Sequence, residues 1–143
     1  MFNISKSYVK LLGNTLGYEY SNTDECPVGD FGYDQYIDIK FVYDWLSKIT
    51  MESDNPDLGL KAIHKTHPAM LGVLGYAAMS CETLGHALER LVHYHSLISS
   101  ASFLKLNIYS DTLKIEGFVI GDKAPRAFID SGASVILALI KWL

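Results

Sequence analysis

Apolar residues recur at helical spacing near the start of the chain, at Tyr8, Leu11, Leu12 and Leu16. The pattern stops at Gly17, a residue type that readily adopts the left-handed conformation found where helices end. We therefore predict a short first helix. Residues 18–33 mix Pro, Gly, Asn and Asp without apolar periodicity, which predicts a connecting loop.

Three helices are predicted in the middle of the chain. The first spans about 34–51, and its apolar face consists of Ile37, Phe41, Val42, Trp45, Leu46 and Ile49. The second spans about 56–65, because Asn55 and Pro56 form a helix start. Residues 71–79 are apolar almost throughout. They predict a buried helix in which Gly72 and Gly75 allow close backbone approach, with a buried strand as the alternative.

The last third of the chain predicts a hairpin followed by a long helix. Apolar and polar residues alternate over about 102–120, with a Ser-Asp-Thr turn between two runs, so two antiparallel strands are expected with one face buried. A helix then begins near Pro125, and its apolar stripe contains Phe128, Gly132, Val135, Ile136, Leu139, Ile140 and Leu143. The predicted fold class is α+β, mainly helical with a small antiparallel sheet.

Residues 83–98, "TLGHALERLVHYHSLI", carry three of the five histidines on one predicted helix that Thr83 caps. On this helix His95 shares the apolar face with Leu84 and Leu91, so we expect His95 to be buried and His86 and His93 to be exposed. A buried histidine is usually a hydrogen-bonded core residue. His95 is nevertheless the best single candidate for a polar group facing a pocket.

The spacing of these histidines argues against a metal site. His93 and His95 lie on opposite sides of a helix, and His86 and His93 are two turns apart, roughly 10 Å. Glu89 and His93 are suitably spaced, but a zinc site needs further ligands, so they are expected to form a solvated surface pair. The sequence also lacks a recognisable nucleophile–base pair or phosphate loop. We expect no metal, no cofactor and no enzymatic activity.

Composition fits one globular domain of 143 residues, with 49% hydrophobic and 20% charged residues. No apolar run is long enough for a membrane span, and the N-terminus lacks the features of a signal peptide, so a cytoplasmic location is expected. Cys26 and Cys81 are expected to be free thiols. The net charge of −4 and the absence of basic clusters argue against direct binding of DNA.

Three segments carry a resemblance to a known family: "NPDLGL" at 55–60, "GVLGYAAMSCETLGHAL" at 72–88 and "RLVHYHSL" at 90–97. Together they resemble the N-terminal effector-sensing, arabinose-binding-like domain of AraC/XylS-type transcriptional regulators. The resemblance implies a bacterial regulatory domain that binds a small-molecule effector and dimerises. It also implies a C-terminal helix-turn-helix domain that binds DNA and is absent from residues 1–143, so this sequence is expected to be a truncated single domain.

Candidate effector-pocket residues are Trp45, Tyr76, Tyr94, His95 and Arg126. For the three aromatic residues, a place in the core is the first expectation. Arg126 is of the type that binds a carboxylate through two hydrogen bonds, although a solvated surface arginine is the more common case. The effector itself cannot be named from these residues, because the arabinose of the family label does not transfer to this chain.

The final helix is the candidate dimer interface, because its last nine residues, "VILALIKWL", contain one charged residue. A helix with apolar side chains on every side needs contacts with other protein surface on every side. The exposed candidates are Leu137, Ile140 and Trp142, which would meet either a second chain or a segment beyond Leu143. Two rival functions stay open: a ligand-independent dimerisation or interaction module, and a small enzyme or haem sensor using His93 or His95.

Overall fold

The computed structural model describes residues 2–20, 29–31, 34–120 and 123–143. These residues form an α+β fold that is mainly helical, as predicted. The α-helices are α1 (Lys6–Leu16), α2 (Ile39–Ser53), α3 (Ala62–Lys65), α4 (Val73–Met79), α5 (Leu84–His93) and α6 (Arg126–Trp142). The strands are β1 (Asn3–Ser5), β2 (Gly29–Phe31), β3 (Asp34–Asp38), β4 (Ser102–Ile108) and β5 (Leu113–Val119). None of the described helices is long and apolar enough to cross a membrane.

Helix α1 confirms the first predicted helix. The Ser5 side chain accepts a hydrogen bond from the backbone N–H of Tyr8, which caps the N-terminus. Gly17 ends the helix with a φ of 83°, a left-handed conformation that glycine adopts without a steric penalty. Leu11, Leu12 and Leu16 are buried, so this helix forms part of the core.

The helix predicted over 34–51 begins later than expected, because Asp34–Asp38 form strand β3. This strand lies between β1 and β2 in an antiparallel sheet, with Asn3 opposite Asp38 and Gly29 opposite Tyr36. Ile37 is buried, but on the strand and not on a helix face. The prediction was wrong here because Ile37 lies four residues before Phe41, which continues the helical spacing by coincidence.

The loop predicted over 18–33 contains strand β2 at Gly29–Phe31, so that part of the prediction was wrong. A three-residue strand held by backbone hydrogen bonds leaves little periodic signal in a sequence. Residues 21–28 and 32–33, and with them Cys26, lie outside the described residues. Cys81 is a free thiol.

The second predicted helix is shorter and tighter than expected. A 3-10 turn at Leu58–Lys61 leads into the four residues of α3. Asn55 accepts a hydrogen bond from the N–H of Asp57, which forms a turn before the helical segment. A Cβ atom on Gly59 would lie 2.5 Å from the carbonyl oxygen of Ala127, so this turn packs directly against the backbone of α6.

Helix α4 confirms the predicted helix over 71–79 and removes the strand alternative, but only one of its faces is buried. Leu74 and Ala78 belong to the core, whereas Val73 and Tyr76 are exposed. The predicted close backbone approach occurs at Gly75, where an added Cβ atom would lie 1.7 Å from the carbonyl oxygen of Pro68. Gly72 has a φ of 63° and open space around it, so its role is conformational.

Helix α5 begins as predicted, with the Thr83 hydroxyl accepting a hydrogen bond from the N–H of His86. It ends at His93, five residues earlier than expected, and His95–Leu97 forms a separate 3-10 turn. His95 therefore does not lie on the helix face where the periodicity placed it. The change of direction at Tyr94 brings His95 toward strand β4 instead.

The hairpin over 102–120 is confirmed, with Ser102 opposite Val119, Leu104 opposite Gly117, and Leu106 opposite Ile115. These residues form the inner face, of which the apolar pair Leu106 and Ile115 is partly buried against the core. The outer face carries the stacked rings of Phe103 and Phe118, whose centroids are 4.7 Å apart.

Helix α6 confirms the final predicted helix. Its core face contains Phe128, Val135 and Leu139, and the end of the predicted stripe, Leu143, is exposed. The helix contacts α3 and the 3-10 turn at Leu58–Lys61. It also forms one side of a cavity whose other side is the hairpin.

Candidate functional site

A cavity of about 540 Å³ lies between the inner face of the hairpin and helix α6. Residues from α1, α4, α5 and the turn after α5 complete its wall. Its rim includes the exposed residues Ile129, Ala133 and Leu137 of α6, so the cavity is open to solvent. This volume falls within the range of small-molecule binding sites, about 300–1,000 Å³.

The wall of the cavity is almost entirely apolar. Among the described residues that line it, which leave out 1, 21–28, 32–33 and 121–122, no side chain is acidic, and neither lysine nor arginine contributes. Helix α6 contributes Phe128, Ile129, Gly132, Ala133, Val135, Ile136, Leu137, Leu139 and Ile140. The inner face of the hairpin contributes Ser102, Leu104, Leu113, Ile115, Gly117 and Val119, and Phe118 from its outer face also borders the cavity.

Two of the polar side chains in the wall, His95 and Ser102, contact each other. The His95 Nε2 atom lies 2.8 Å from the Ser102 Oγ atom, which is hydrogen-bonding distance. Burial lowers the pKa of His95 below its ordinary value of 6.5, so the ring is neutral at pH 7. A neutral ring has one donor nitrogen and one acceptor nitrogen.

Two further polar side chains, Ser99 and Tyr8, line the same cavity. The Ser99 hydroxyl is buried and accepts a hydrogen bond from the N–H of Ala101, which holds the turn between the 3-10 segment and β4. Tyr8 is buried on α1, and desolvation raises the pKa of its hydroxyl well above the ordinary value. Both side chains are therefore uncharged at neutral pH.

Of the five predicted pocket residues, His95 lines the cavity and the other four do not. Trp45 is buried in the core, where its ring meets Tyr20 edge to face with centroids 5.3 Å apart. Tyr76 is 61% exposed on α4. Tyr94 is 47% exposed and packs edge to face on His93.

Arg126 lies at the start of α6 and is exposed. Its guanidinium group forms ion pairs with Asp57 and Asp130, the second at 3.1 Å from Nε. These two carboxylates hold Arg126 across the contact between α6 and the segment before Leu58. Arg126 therefore makes a structural contact and lies outside the cavity lining.

The three predicted interface residues differ in position. Leu137 is 51% exposed at the rim of the cavity. Ile140 is only partly exposed and belongs to the cavity wall. Trp142 is exposed, and its ring meets the His67 ring edge to face with centroids 4.1 Å apart.

The predicted exposure of the three histidines is confirmed in part. His86 and His93 are exposed, as predicted, and His95 is only partly buried because one side of it faces the cavity. Within the described ranges, no group of three or more His, Cys, Asp and Glu side chains is arranged to hold a metal ion.

Sequence reasoning missed Ser102 and Tyr8 as lining residues. Ser102 carries a usable signal, because it is the one polar residue at the inward positions 102, 104 and 106 of β4. Tyr8 has the spacing of a core residue and gives no such signal. Sequence reasoning also found no nucleophile–base pair, whereas the structure brings Ser102 and His95 within hydrogen-bonding distance from elements that are separate along the chain.

The fold and the cavity together define an α+β domain with an internal space of ligand-binding size. A family model described as the arabinose-binding domain of AraC transcription regulators, N-terminal, matches residues 34–143. The chain belongs to this family, which confirms the resemblance found in the sequence. It is therefore a ligand-sensing regulatory domain of the kind found in these transcription regulators. Comparison with curated proteins finds no match to this sequence.

Proposed function

We propose that residues 1–143 form the effector-sensing and dimerisation domain of a bacterial, cytoplasmic AraC-type regulator, and that the effector binds between the hairpin and α6. The observation that carries the proposal is the cavity of about 540 Å³ with one polar corner at His95 and Ser102. Apolar walls with a few placed polar groups are typical of ligand sites. DNA is contacted by a separate helix-turn-helix domain.

Helix α6 links the effector to self-association in this proposal. Its residues line the cavity along most of the helix, and Ile129 and Leu137 are both about half exposed at the rim. A molecule in the cavity therefore contacts the same helix that offers apolar surface to a second chain. Regulation follows if the effector has a higher affinity for one of two arrangements of this helix.

The proposal is tested by measuring the melting temperature of the domain against a panel of metabolites. A molecule that binds the folded state raises the melting temperature by mass action. Gly132→Phe is the blocking variant, because a Cβ atom there meets open space and the ring enters the cavity. Gly85→Phe is the matched control, since Gly85 is also in a helix with open space around it but does not line the cavity.

We expect at least one compound to raise the melting temperature of the parent domain and of Gly85→Phe, and not that of Gly132→Phe. A panel without any such compound would favour the alternative function, a ligand-independent dimerisation module. A compound that stabilises Gly132→Phe as strongly as the parent would place the effector elsewhere.

A small hydrolase is the second candidate, because the Ser102 hydroxyl lies 2.8 Å from a histidine nitrogen, as in a nucleophile–base pair. The regulatory function is preferred because the part of the lining that the structure describes offers no carboxylate to orient the ring of His95. Incubation with 2-naphthyl acetate separates the two candidates. We expect no release of 2-naphthol above the rate of Ser102→Ala, whereas release that depends on Ser102 would support the hydrolase.

A further inference from the structure

The chemistry of the cavity wall restricts the class of molecule that fits it. The polar side chains that the described residues place in the wall are those of Tyr8, His95, Ser99 and Ser102, and all four are uncharged at neutral pH. The hairpin and α6 present branched aliphatic and phenyl groups to the rest of the space. A ligand therefore meets a few uncharged hydrogen-bonding groups, two of which are the bonded pair His95 and Ser102, and apolar surface over the remainder.

A sugar does not suit this wall. A pentose carries oxygen on every carbon, and transfer of each hydroxyl out of water without a new hydrogen-bond partner is unfavourable. The apolar groups of Leu104, Ile115 and Ile136 offer no such partner. Most hydroxyl groups of a pentose in this cavity would thus lose their hydrogen bonds to water.

A charged ligand also lacks a partner. Burial of a carboxylate or an ammonium group is unfavourable unless an opposite charge or several hydrogen bonds replace water. The lining residues within 2–20, 29–31, 34–120 and 123–143 include neither a basic nor an acidic side chain apart from the neutral His95. Arg126 lies outside the lining and is already paired with Asp57 and Asp130.

The pair of His95 and Ser102 leaves hydrogen-bonding capacity unused. A serine hydroxyl can donate one hydrogen bond and accept two, so the bond to His95 does not saturate it. Ser102 sits at the start of β4 on the inward face, beside the apolar residue Leu104 two positions on. One hydroxyl or carbonyl group of a ligand can join this pair while its apolar part covers the hairpin.

We propose that the cavity binds an uncharged, largely apolar molecule whose single hydrogen-bonding group meets the pair formed by His95 and Ser102. This inference rests on the proposed function, because it names the chemical class of the effector for the same cavity. This ligand class differs from the sugar that the family's description names.

The test uses four probes and isothermal titration calorimetry of the domain: 2-naphthol, naphthalene, 2-naphthoate and L-arabinose. The first three share one apolar ring system and differ in carrying an uncharged hydroxyl, no polar group, or a carboxylate. We expect one site for 2-naphthol, with an affinity about fivefold above that of naphthalene, as one additional hydrogen bond provides. Binding of 2-naphthoate and L-arabinose is expected to be weaker than that of naphthalene.

Three variants assign the binding to the cavity and to the polar pair. Gly132→Phe removes 2-naphthol binding and Gly85→Phe keeps it. Ser102→Ala lowers the affinity for 2-naphthol about fivefold and leaves naphthalene unchanged, since only the hydroxyl of the ligand uses Ser102. Ser102→Thr, which keeps a hydroxyl and suits a strand, retains the parent affinity. Circular dichroism of each variant establishes that it is folded.

Two outcomes overturn the inference. Tighter binding of L-arabinose or 2-naphthoate, lost in Gly132→Phe, would refute the ligand class and leave the proposed effector site standing. Failure of 2-naphthol and naphthalene to bind the parent, or equal binding to Gly132→Phe, would refute an apolar site in this cavity. In that case the metabolite panel with the same two glycine variants decides separately whether the proposed function also fails.

Discussion

His95 illustrates how one residue's environment differs from its sequence context. The helical periodicity places it on the apolar face of a helix, yet α5 ends at His93 and His95 lies in the following 3-10 turn. There it faces the cavity and contacts Ser102. The pattern predicted that His95 is buried, whereas it is only partly buried. Its partner was not predicted, because Ser102 belongs to the next strand.

The shift in the His95 pKa makes stability depend on pH. Burial lowers this pKa below the ordinary value of 6.5, so the unfolded chain takes up a proton at a higher pH than the folded protein does. The free energy of unfolding should therefore fall as the pH drops through and below about 6.5. Urea unfolding at pH 7.5 and 5.5 measures this change.

The matched variant for this prediction is His95→Gln, which keeps a hydrogen-bonding side chain beside Ser102 and does not titrate in this range. The difference in unfolding free energy between the two pH values should be smaller in His95→Gln than in the parent. An equal or larger difference in the variant would mean that other groups carry the pH dependence.

Alanine substitutions at Gly75 and Gly85 are predicted to change the stability of the domain in opposite directions. Gly75→Ala should lower the free energy of unfolding by about 3 kcal/mol, because its Cβ atom would lie 1.7 Å from the carbonyl oxygen of Pro68. Gly85→Ala should raise it by about 0.5–1 kcal/mol, because the new methyl group meets open space and alanine favours the helix. Chemical denaturation measures the change in the free energy of unfolding for both variants. A stabilised Gly75→Ala would contradict the packing of α4 on Pro68.

At the scale of elements, the sequence predicted those segments whose apolar pattern is long and regular. Helix α1, the hairpin and α6 were found because each repeats its period several times. Strands β2 and β3 were missed because they are only three and five residues long. In β3 the position of Ile37 also fitted the helix that follows, so two elements shared one periodic signal.

The exposed side of α6 gives a prediction about self-association. Leu137→Glu should dissociate a dimer without unfolding the domain, because Leu137 is 51% exposed and lies at the cavity rim. Ile140→Glu should instead destabilise the fold, since Ile140 packs against the core. Sedimentation velocity and thermal unfolding of both variants measure the two effects.

The outcome for Leu137→Glu decides whether α6 is an interface. A parent domain that sediments as a monomer, or a dimer that Leu137→Glu leaves intact, would contradict dimerisation through this helix. Loss of cooperative unfolding in Leu137→Glu would show that the residue contributes to the core.

At the scale of the whole molecule, the cavity could not be read from the sequence. Its wall combines α6, the hairpin and the turn after α5, which come together only when the chain has folded. Apolar residues that line a cavity and apolar residues that fill a core have the same periodicity. His95 was identified because a histidine stands out in an apolar stripe, whereas Ile115 and Ile136 look like ordinary core residues.

In the proposed function, occupation of the cavity between the hairpin and α6 controls the activity of an AraC-type regulator. The most direct measurement is a transcription reporter driven by that regulator, with an effector found in the metabolite panel and with the two glycine variants. We expect Gly85→Phe to respond to the effector as the parent does, and Gly132→Phe to lose the response although its level and its binding to DNA are unchanged. A full response of Gly132→Phe to the effector would contradict control through this cavity.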